Sequence, residues 1–428
     1  MDELTPKPER PPLRSLDEVL SQLLARAPVL GAESVSTFDA DGRVLAQDLV
    51  AALTVPPADN SAMDGYAVRA ADCAAPGAVL RVTQRIAAGT VGAPLQPGEA
   101  ARIFTGAPIP PGADAVVMQE DTQALDGDAA QGSQVRVQVP PAPGQWIRRA
   151  GEDVRAGRTV LTRGIRLTPQ ALGLAAGIGA DRLQVARRPR VALLSTGDEL
   201  VMPGDVPPEA MKPGAIYNSN RFFLRALLQR MGCDVQDLGI VPDRLDATLD
   251  VLRAAAARND LILSTGGVSV GEEDHIKPAV QALGELQMWS VAMKPGKPFA
   301  YGTIPRAAEQ GDEPALCHVC GLPGNPVSSF ATFLMLVRPF LLAMQGCTAL
   351  SPLRVSMRAD FDWPRADQRR EFLRARVNAA GGLDLFDNQS SGVLTSTVWA
   401  DGLVDVPAQQ PIRRGDTVAF LPFSALLA

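Results

Sequence analysis

The chain has 428 residues, 46% of them hydrophobic, and carries a formal net charge of -6. At ~150 residues per domain that length suits about three or four domains, with enough apolar material for sizeable cores. The acidic balance excludes the basic footprint of a duplex binder, so no nucleic-acid partner is expected.

The N-terminus runs Met1-Asp2-Glu3 into a Pro-rich, charged stretch and lacks the apolar core of a secretory signal. Five cysteines, an odd number in a large chain, suit a reducing compartment, and a cytoplasmic protein is expected. Ser15-Leu16-Asp17-Glu18 reads as a capping box, followed by Leu16, Val19, Leu20, Leu23 and Leu24 at helical spacing. Between 55 and 149 short β-type runs (78–82, 102–105, 115–119 and 134–139) alternate with Pro/Gly turns, which predicts a small β-rich domain. A helix is expected over 168–177, and Arg187-Arg188-Pro189 marks a boundary.

Strand and helix then alternate. Strands are expected at 191–195, 235–240, 261–265, 286–293 and 316–321, and helices at 221–231, 245–258 and 276–283. Asn325-Pro326 reads as N-cap and first residue of a further helix. This predicts an α/β domain with a doubly wound parallel sheet over 189–345. The longest apolar run, 330–344, is interrupted by Arg338-Pro339, so no membrane span is expected. From 350 to 428 short strands at 354–361, 371–377 and 417–421 predict a small C-terminal β domain.

Ligands of open α/β sheets bind outside the carboxyl ends of the strands. Here those positions hold Thr196-Gly197-Asp198-Glu199, then Gly239 with Asp243, then 265–274, then Lys294-Pro295-Gly296-Lys297-Pro298, then 321–326. Gly266, Gly267 and Gly324 would let backbone amides face an anion. The helices starting after Asp274 and Asn325 would add positive dipole ends. Lys294 and Lys297 flank a Pro-Gly turn and can aim two cations at one oxyanion. Asp243 and Asp274 are oxygen ligands of the kind Mg²⁺ takes alongside phosphate. Each loop alone reads more readily as a turn, an N-cap or solvated surface; five on one edge point to an anion-and-metal site.

Two motifs point elsewhere and are set aside. Gly267-Val268-Ser269-Val270-Gly271 matches the G-x-S-x-G elbow, but the chain's two histidines are His275 and His318, and His275 is too close to return as a triad partner. Cys317-His318-Val319-Cys320 lacks a second pair and lies in an apolar strand, which favours buried structural thiols over a metal site.

The ordered set Asp59-Asn60-Ser61-Ala62-Met63-Asp64-Gly65-Tyr66-Ala67, Arg102-Ile103-Phe104-Thr105-Gly106-Ala107-Pro108, Arg149-Ala150-Gly151-Glu152-Asp153 and Ser195-Thr196-Gly197-Asp198-Glu199-Leu200, followed by 266–274, 294–299 and 321–328, resembles the molybdopterin molybdenumtransferase family. That family comprises the bacterial MoeA proteins and the E domain of gephyrin. The resemblance covers nearly the whole chain after residue 15. It implies an elongated helical linker and dimerisation domain (15–50 with 150–188), an inserted β-rich domain (51–149), a MogA-like α/β molybdopterin-binding domain (189–345) and a small β-barrel-like C-terminal domain (350–428). It further implies a homodimer, with the cleft built partly by the neighbouring subunit.

The implied reaction is Mg²⁺-dependent insertion of molybdate into adenylated molybdopterin, with release of AMP. Asp64, Asp153, Glu199, Lys294 and Lys297 are implied as catalytic. Lys294, Lys297 and Arg369 would hold oxyanions, with Ser328 donating a hydrogen bond, and Asp243 and Asp274 would hold the metal. Thr105, Thr196, Gly197, Gly266, Gly267, Ser269, Pro298, Pro323, Gly324, Asn325 and Ser396 would contact substrate. Contact with the molybdopterin adenylyltransferase and with molybdoenzyme maturation factors is implied as well. The pattern departs at Gln368, where Gly is usual, and at Asp401, where Asn is common. Two other readings are a non-catalytic molybdopterin-binding scaffold and a pterin nucleotidyltransferase. The scaffold would carry an appended domain and long linker; the nucleotidyltransferase would release pyrophosphate from ATP.

Overall fold

The computed structural model describes residues 13–125, 133–267, 275–306, 315–365 and 367–427. The α/β domain is built on four adjacent parallel strands in the order Asp234–Val241, Arg190–Thr196, Leu261–Thr265 and Leu316–Leu322. Every residue of Leu261–Thr265 is buried, as a central parallel strand covered on both faces requires. Successive residues alternate between two cores. Val191, Leu193, Leu261 and Leu263 face one apolar cluster, while Ala192, Leu194 and Ile262 face the other.

Helices Leu16–Leu24, Ser219–Arg230 and the 326–344 helix cover the first face. Leu245–Arg258 and Ile276–Leu283 cover the second. Ser15 caps the first helix by accepting the Glu18 amide at 3.2 Å.

The expected all-parallel sheet is corrected to a mixed one. Pro298–Pro305 pairs antiparallel with both Leu316–Leu322 and Glu285–Val291. The turn over 294–297 is far too short for a crossover helix, so the two strands it joins must run in opposite directions. Glu285–Val291 still runs parallel to the central four, and the 294–297 turn therefore reaches the same carboxyl edge. Leu13–Arg14 adds a short parallel strand outside it.

The long apolar helix runs through Arg338-Pro339 without a break, contrary to expectation. Pro339 has no amide to offer Met335, and a wider π-type turn over Phe333–Val337 absorbs the missing bond. By length and composition this helix could cross a bilayer, but it is almost wholly buried within the α/β domain. It is a core helix.

Residues 27–50 and 150–188 are not mainly helical. They form two short antiparallel ladders, Ala32–Ser36 with Arg182–Ala186 and Leu49–Val50 with Thr159–Leu161, around the single α-helix Pro169–Gly177. The β-branched and alternating residues in these stretches suit strands, and the first helix, which suggested a helical domain, docks on the α/β core instead. The inserted domain is a six-stranded sheet ordered Ala115–Met118, Gly65–Val68, Glu99–Ile103, Ala78–Ile86, Gln134–Val137 and Thr122–Leu125.

In the C-terminal domain Arg370–Val377, Gly402–Val406, Thr417–Pro422 and Val355–Arg358 pair in sequence around the sheet. A bridge from Ala359 to Leu383, and the ladder of Leu383–Leu385 with Arg370–Val377, close the circuit into a small barrel. Met293–Lys294 pairs with Arg370-Glu371 and stitches this barrel to the α/β edge.

Candidate active site

The carboxyl edge of the sheet holds a cavity of about 680 Å³. Thr196, Glu199, Gly266, Gly267, Pro298, Pro323, Gly324, Asn325 and Ser328 line it, so nine residues expected from sequence come together there. Gly266 (φ +88°) and Gly267 (φ +66°) take the left-handed conformation that favours glycine. A side chain at Gly266 would strike the Thr196 carbonyl at 2.6 Å, so the two loops touch only because this residue lacks one. Gly197 leaves room for the Glu199 carboxylate, which folds back over it. Gly324 differs: it has ordinary φ and open space around it. Asn325 is N-cap by position, yet its side chain makes no capping bond. The Val327 amide is instead taken by the Ser391 carbonyl of the C-terminal domain at 3.0 Å.

The cavity also uses residues that sequence reasoning missed. Tyr217, Asn218, Ser219 and Asn220 form one wall, and Gly392 reaches in from the barrel. A two-residue parallel ladder, Leu200–Val201 with Ile216–Tyr217, folds the intervening flap onto the edge. The signal was the polar triplet Asn218-Ser219-Asn220 at a helix start, which placing the helix at 221 concealed. Asn218 caps it by accepting the Arg221 amide at 3.2 Å. Asn220 donates to Thr265 Oγ1 and to the Gly324 carbonyl, both at 2.7 Å, tying two edge loops together.

Three acids gather beside this wall. Asp198 and Asp243 exchange backbone-to-carboxylate hydrogen bonds at 3.2 and 3.3 Å. Burial raises the Asp243 carboxyl above the ordinary value, and the charges of Asp198 and Glu199 push the same way. Ser269 and Asp274 lie outside the described residues. Among the described residues no group of three or more His, Cys, Asp or Glu is close enough to form a preformed metal cage.

The cations divide unequally. Lys294 pairs with Glu371 at 2.8 Å and Asp367 at 3.2 Å. Arg369 grips the same Asp367 through two bonds of 3.1 and 3.0 Å. Both expected oxyanion binders therefore have their charge matched by carboxylates of the barrel. Lys297 is exposed beside the cavity-lining Pro298 and makes no ion pair among the described residues. Ser396 is fully buried: it donates to the Val393 carbonyl at 2.6 Å and accepts from Arg374 at 3.1 Å. It thus holds the segment that carries Gly392 and does not itself line the cavity.

Hydrogen bonds from Arg369 hold the Asp367 carboxyl below the usual range, with Lys294 helping. A lowered acid pKa stabilises above the unfolded value, about 3.9, and that contribution is lost as pH falls toward the folded value. The contact between barrel and α/β edge is expected to weaken below about pH 4. Asp367→Asn should lose up to about 1 kcal/mol at neutral pH and show a shallower acid limb in thermal melts. An unchanged acid limb would contradict the assignment.

In the inserted domain Asp64 Oδ1 accepts both the amide and the hydroxyl of Thr105 at 2.8 Å. Those bonds lower its pKa. Asp153 lines a separate recess of about 400 Å³ with Asn60, Arg148 and Glu152. Neither Asp64, Thr105 nor Asp153 is among the residues lining the strand-end cavity of the same chain. Cys317 and Cys320 are buried free thiols, with burial pushing Cys317 up to about 12. His318 between them is bonded to the Tyr301 hydroxyl at 2.8 Å, and burial lowers it to about 4. The structural reading of that motif holds.

A cavity at the carboxyl edge of an α/β domain, walled partly by a C-terminal barrel, places the ligand site where multidomain enzymes built on an open α/β sheet carry theirs. Residues 14–179 match the MoeA N-terminal region (domain I and II), 192–343 the probable molybdopterin binding domain, and 356–423 the MoeA C-terminal region (domain IV). The molybdopterin molybdenumtransferase of Haemophilus influenzae is 36% identical over 421 residues, covering 96% of this chain and 99% of that protein. Molybdopterin molybdenumtransferase 2 of Mycobacterium tuberculosis is 38% identical over 390 residues, covering 87% and 90%. A crystal structure of the molybdopterin biosynthesis moeA protein of Pyrococcus horikoshii OT3 superposes with a TM-score of 0.81 at 30% identity, covering 96% of this chain and 100% of that one. The chain belongs to the molybdopterin molybdenumtransferase family.

Proposed function

We propose that the chain transfers molybdenum, delivered as molybdate, to adenylated molybdopterin with release of AMP, as a Mg²⁺-dependent cytoplasmic homodimer. The observation that carries this reading is the strand-end cavity, where two left-handed glycines meet the start of the 326–344 helix, with Lys297 adjoining the cavity-lining Pro298 along the chain. Backbone amides and a helix start suit tetrahedral oxyanions, and molybdate and phosphate share that shape. Lys297 supplies positive charge at the rim. Lys294 and Arg369, being matched by Asp367 and Glu371, act by placing the 294–297 turn.

The acid cluster fits Mg²⁺. Asp243 lies against Asp198, the two exchanging backbone-to-carboxylate hydrogen bonds, and Mg²⁺ takes one or two carboxylates together with phosphate oxygens and water. Asp243 and Asp274 would hold it, and when bound it would neutralise charge growing on the departing phosphate. Asp64, pinned by Thr105, is a carboxylate at neutral pH and contributes fixed negative charge. A second copy would bring Asp64 and Asp153 to the cavity of its neighbour. The molybdopterin adenylyltransferase is the expected supplier of substrate, and maturation factors of molybdoenzymes the expected recipients.

The test is AMP release from adenylated molybdopterin with molybdate and Mg²⁺. Asp243→Asn and Asp274→Ala are expected to raise the Mg²⁺ requirement at least about tenfold, a lost charged contact being worth ~1.5 kcal/mol or more. Full Mg²⁺-dependent turnover by Asp274→Ala would remove the metal assignment. Pyrophosphate release from ATP would favour a nucleotidyltransferase instead.

A further inference from the structure

Among the described residues Arg374 is the largest side chain that the fold buries completely, at 1% accessibility. It stands on the strand Arg370–Val377, where Leu373 and Ala375 face the barrel core and Phe372 faces the core of the α/β domain. By alternation Arg374 points out of the barrel on the side of Phe372. There it meets the 389–396 segment. Its Nε donates to Ser396 Oγ at 3.1 Å, and its two terminal nitrogens donate to the Phe372 carbonyl at 3.1 Å and the Ser390 carbonyl at 3.4 Å.

All three partners are neutral. The negative charge that acts on Arg374 is the Glu371 carboxylate, which is already engaged by Lys294 at 2.8 Å and the Trp363 indole at 2.9 Å. On the neighbouring elements Asp405 is held by Arg354 and Arg370, Asp384 by Asn378, and Asp401 by the Val377 amide. Asp387 is exposed to solvent. Burial lowers the Arg374 pKa to about 10, so the group is still a cation at neutral pH. A buried cation is costly to keep unless an anion answers it.

The strand-end cavity lies at the other end of the same short wall. Ser390 and Ser396 flank Gly392, which lines the cavity, and the Ser391 carbonyl takes the Val327 amide at the helix start. Two residues of chain span at most ~7 Å, which puts the guanidinium within roughly 10 Å of the cavity lining.

We infer that Arg374 is a positioning residue of the anion site that acts through its charge: from behind the 390–392 wall it attracts the tetrahedral dianion that the strand-end cavity admits. The inference rests on reading that cavity as an anion site. Lys297 is exposed and its pull is screened by salt, whereas a buried charge is screened far less. Arginine suits the task because it keeps its proton where a buried lysine would lose it.

The test is calorimetric titration of the full chain with molybdate, which keeps one charge state from neutral to alkaline pH. Arg374→Gln retains amide donors for the wall but loses the charge, and is expected to bind molybdate at least about tenfold more weakly. Arg374→Lys retains a charge that burial makes easy to remove. Its affinity should lie near the native value at about pH 7 and fall to that of Arg374→Gln by about pH 9, while the native chain stays level. A clamp without an electrostatic role would produce no such pH profile. Equal weakening by both variants at every pH overturns the proposal and leaves the anion site standing. Absence of molybdate binding by the native chain overturns both. Circular dichroism will show whether the two buried variants fold. Lys297→Ala, at an exposed position, decides the matter if they do not. Its remaining affinity should change less than about twofold between about 0.05 and 0.5 M salt, because a buried charge is little screened. A steep fall with salt would mean that no buried charge holds the anion, and also overturns the proposal.

Discussion

Gly266→Ala is expected to reduce AMP release by about a hundredfold, the scale of an ångström-size misplacement in a reacting site. Gly266 sits at φ +88°, where an alanine is strained, and the added carbon would lie 2.6 Å from the Thr196 carbonyl and 3.1 Å from its hydroxyl. Backbone cannot yield there as a flexible side chain would. Thr196 ends one buried strand, and the Gly266 amide donates to the Leu322 carbonyl at 3.2 Å at the end of another. Three strand ends must therefore separate, and Thr196 and Gly266 both line the cavity. Strain and displacement together are expected to cost about 2–4 kcal/mol, read as a lower denaturation midpoint. Native turnover in a normally folded Gly266→Ala protein would show that the loop contact does not shape the site.

The second large effect separates two lysines that look alike in sequence. Lys297→Ala should lower turnover by about 10²-fold, as for loss of one preorganised donor to an oxyanion, and change stability by less than ~0.5 kcal/mol. Lys294→Ala should act first on stability. Its partner Glu371 is buried and shared with the Trp363 indole at 2.9 Å, and Asp367 would lose one of its two cations. Half-exposure of Lys294 moderates the loss to about 1–2 kcal/mol. Burial alone would lower the Lys294 pKa, but the bonds to Glu371 and Asp367 raise it. Its contribution is therefore complete below the unfolded value and lost only as pH rises through the folded one. Equal loss of turnover in both variants, with stability untouched, would return Lys294 to the oxyanion.

The sequence by itself determined the periodic parts. Helices at 245–258 and 276–283 fall where the apolar spacing put them, and the fully apolar run 261–265 is the central buried strand. It also determined the edge: a strand ending in Thr196, Thr265 or Leu322 must release its loop on one side of a parallel sheet, so glycines in those loops were legible as a site. Local chemistry suffices for such features because spacing and chirality are properties of the chain.

What the tertiary structure decided are the partners. Nothing in Lys294-Pro295-Gly296-Lys297 distinguishes its two lysines; the barrel carboxylates Asp367 and Glu371, more than seventy residues on, claim one and leave the other. Ser396 became a support because Arg374 is buried behind it. The wall from Tyr217 to Asn220 joined the site because a flap folds back through a two-residue ladder. Charge pairing and burial act through space between residues distant along the chain, and no local pattern encodes which distant group will arrive.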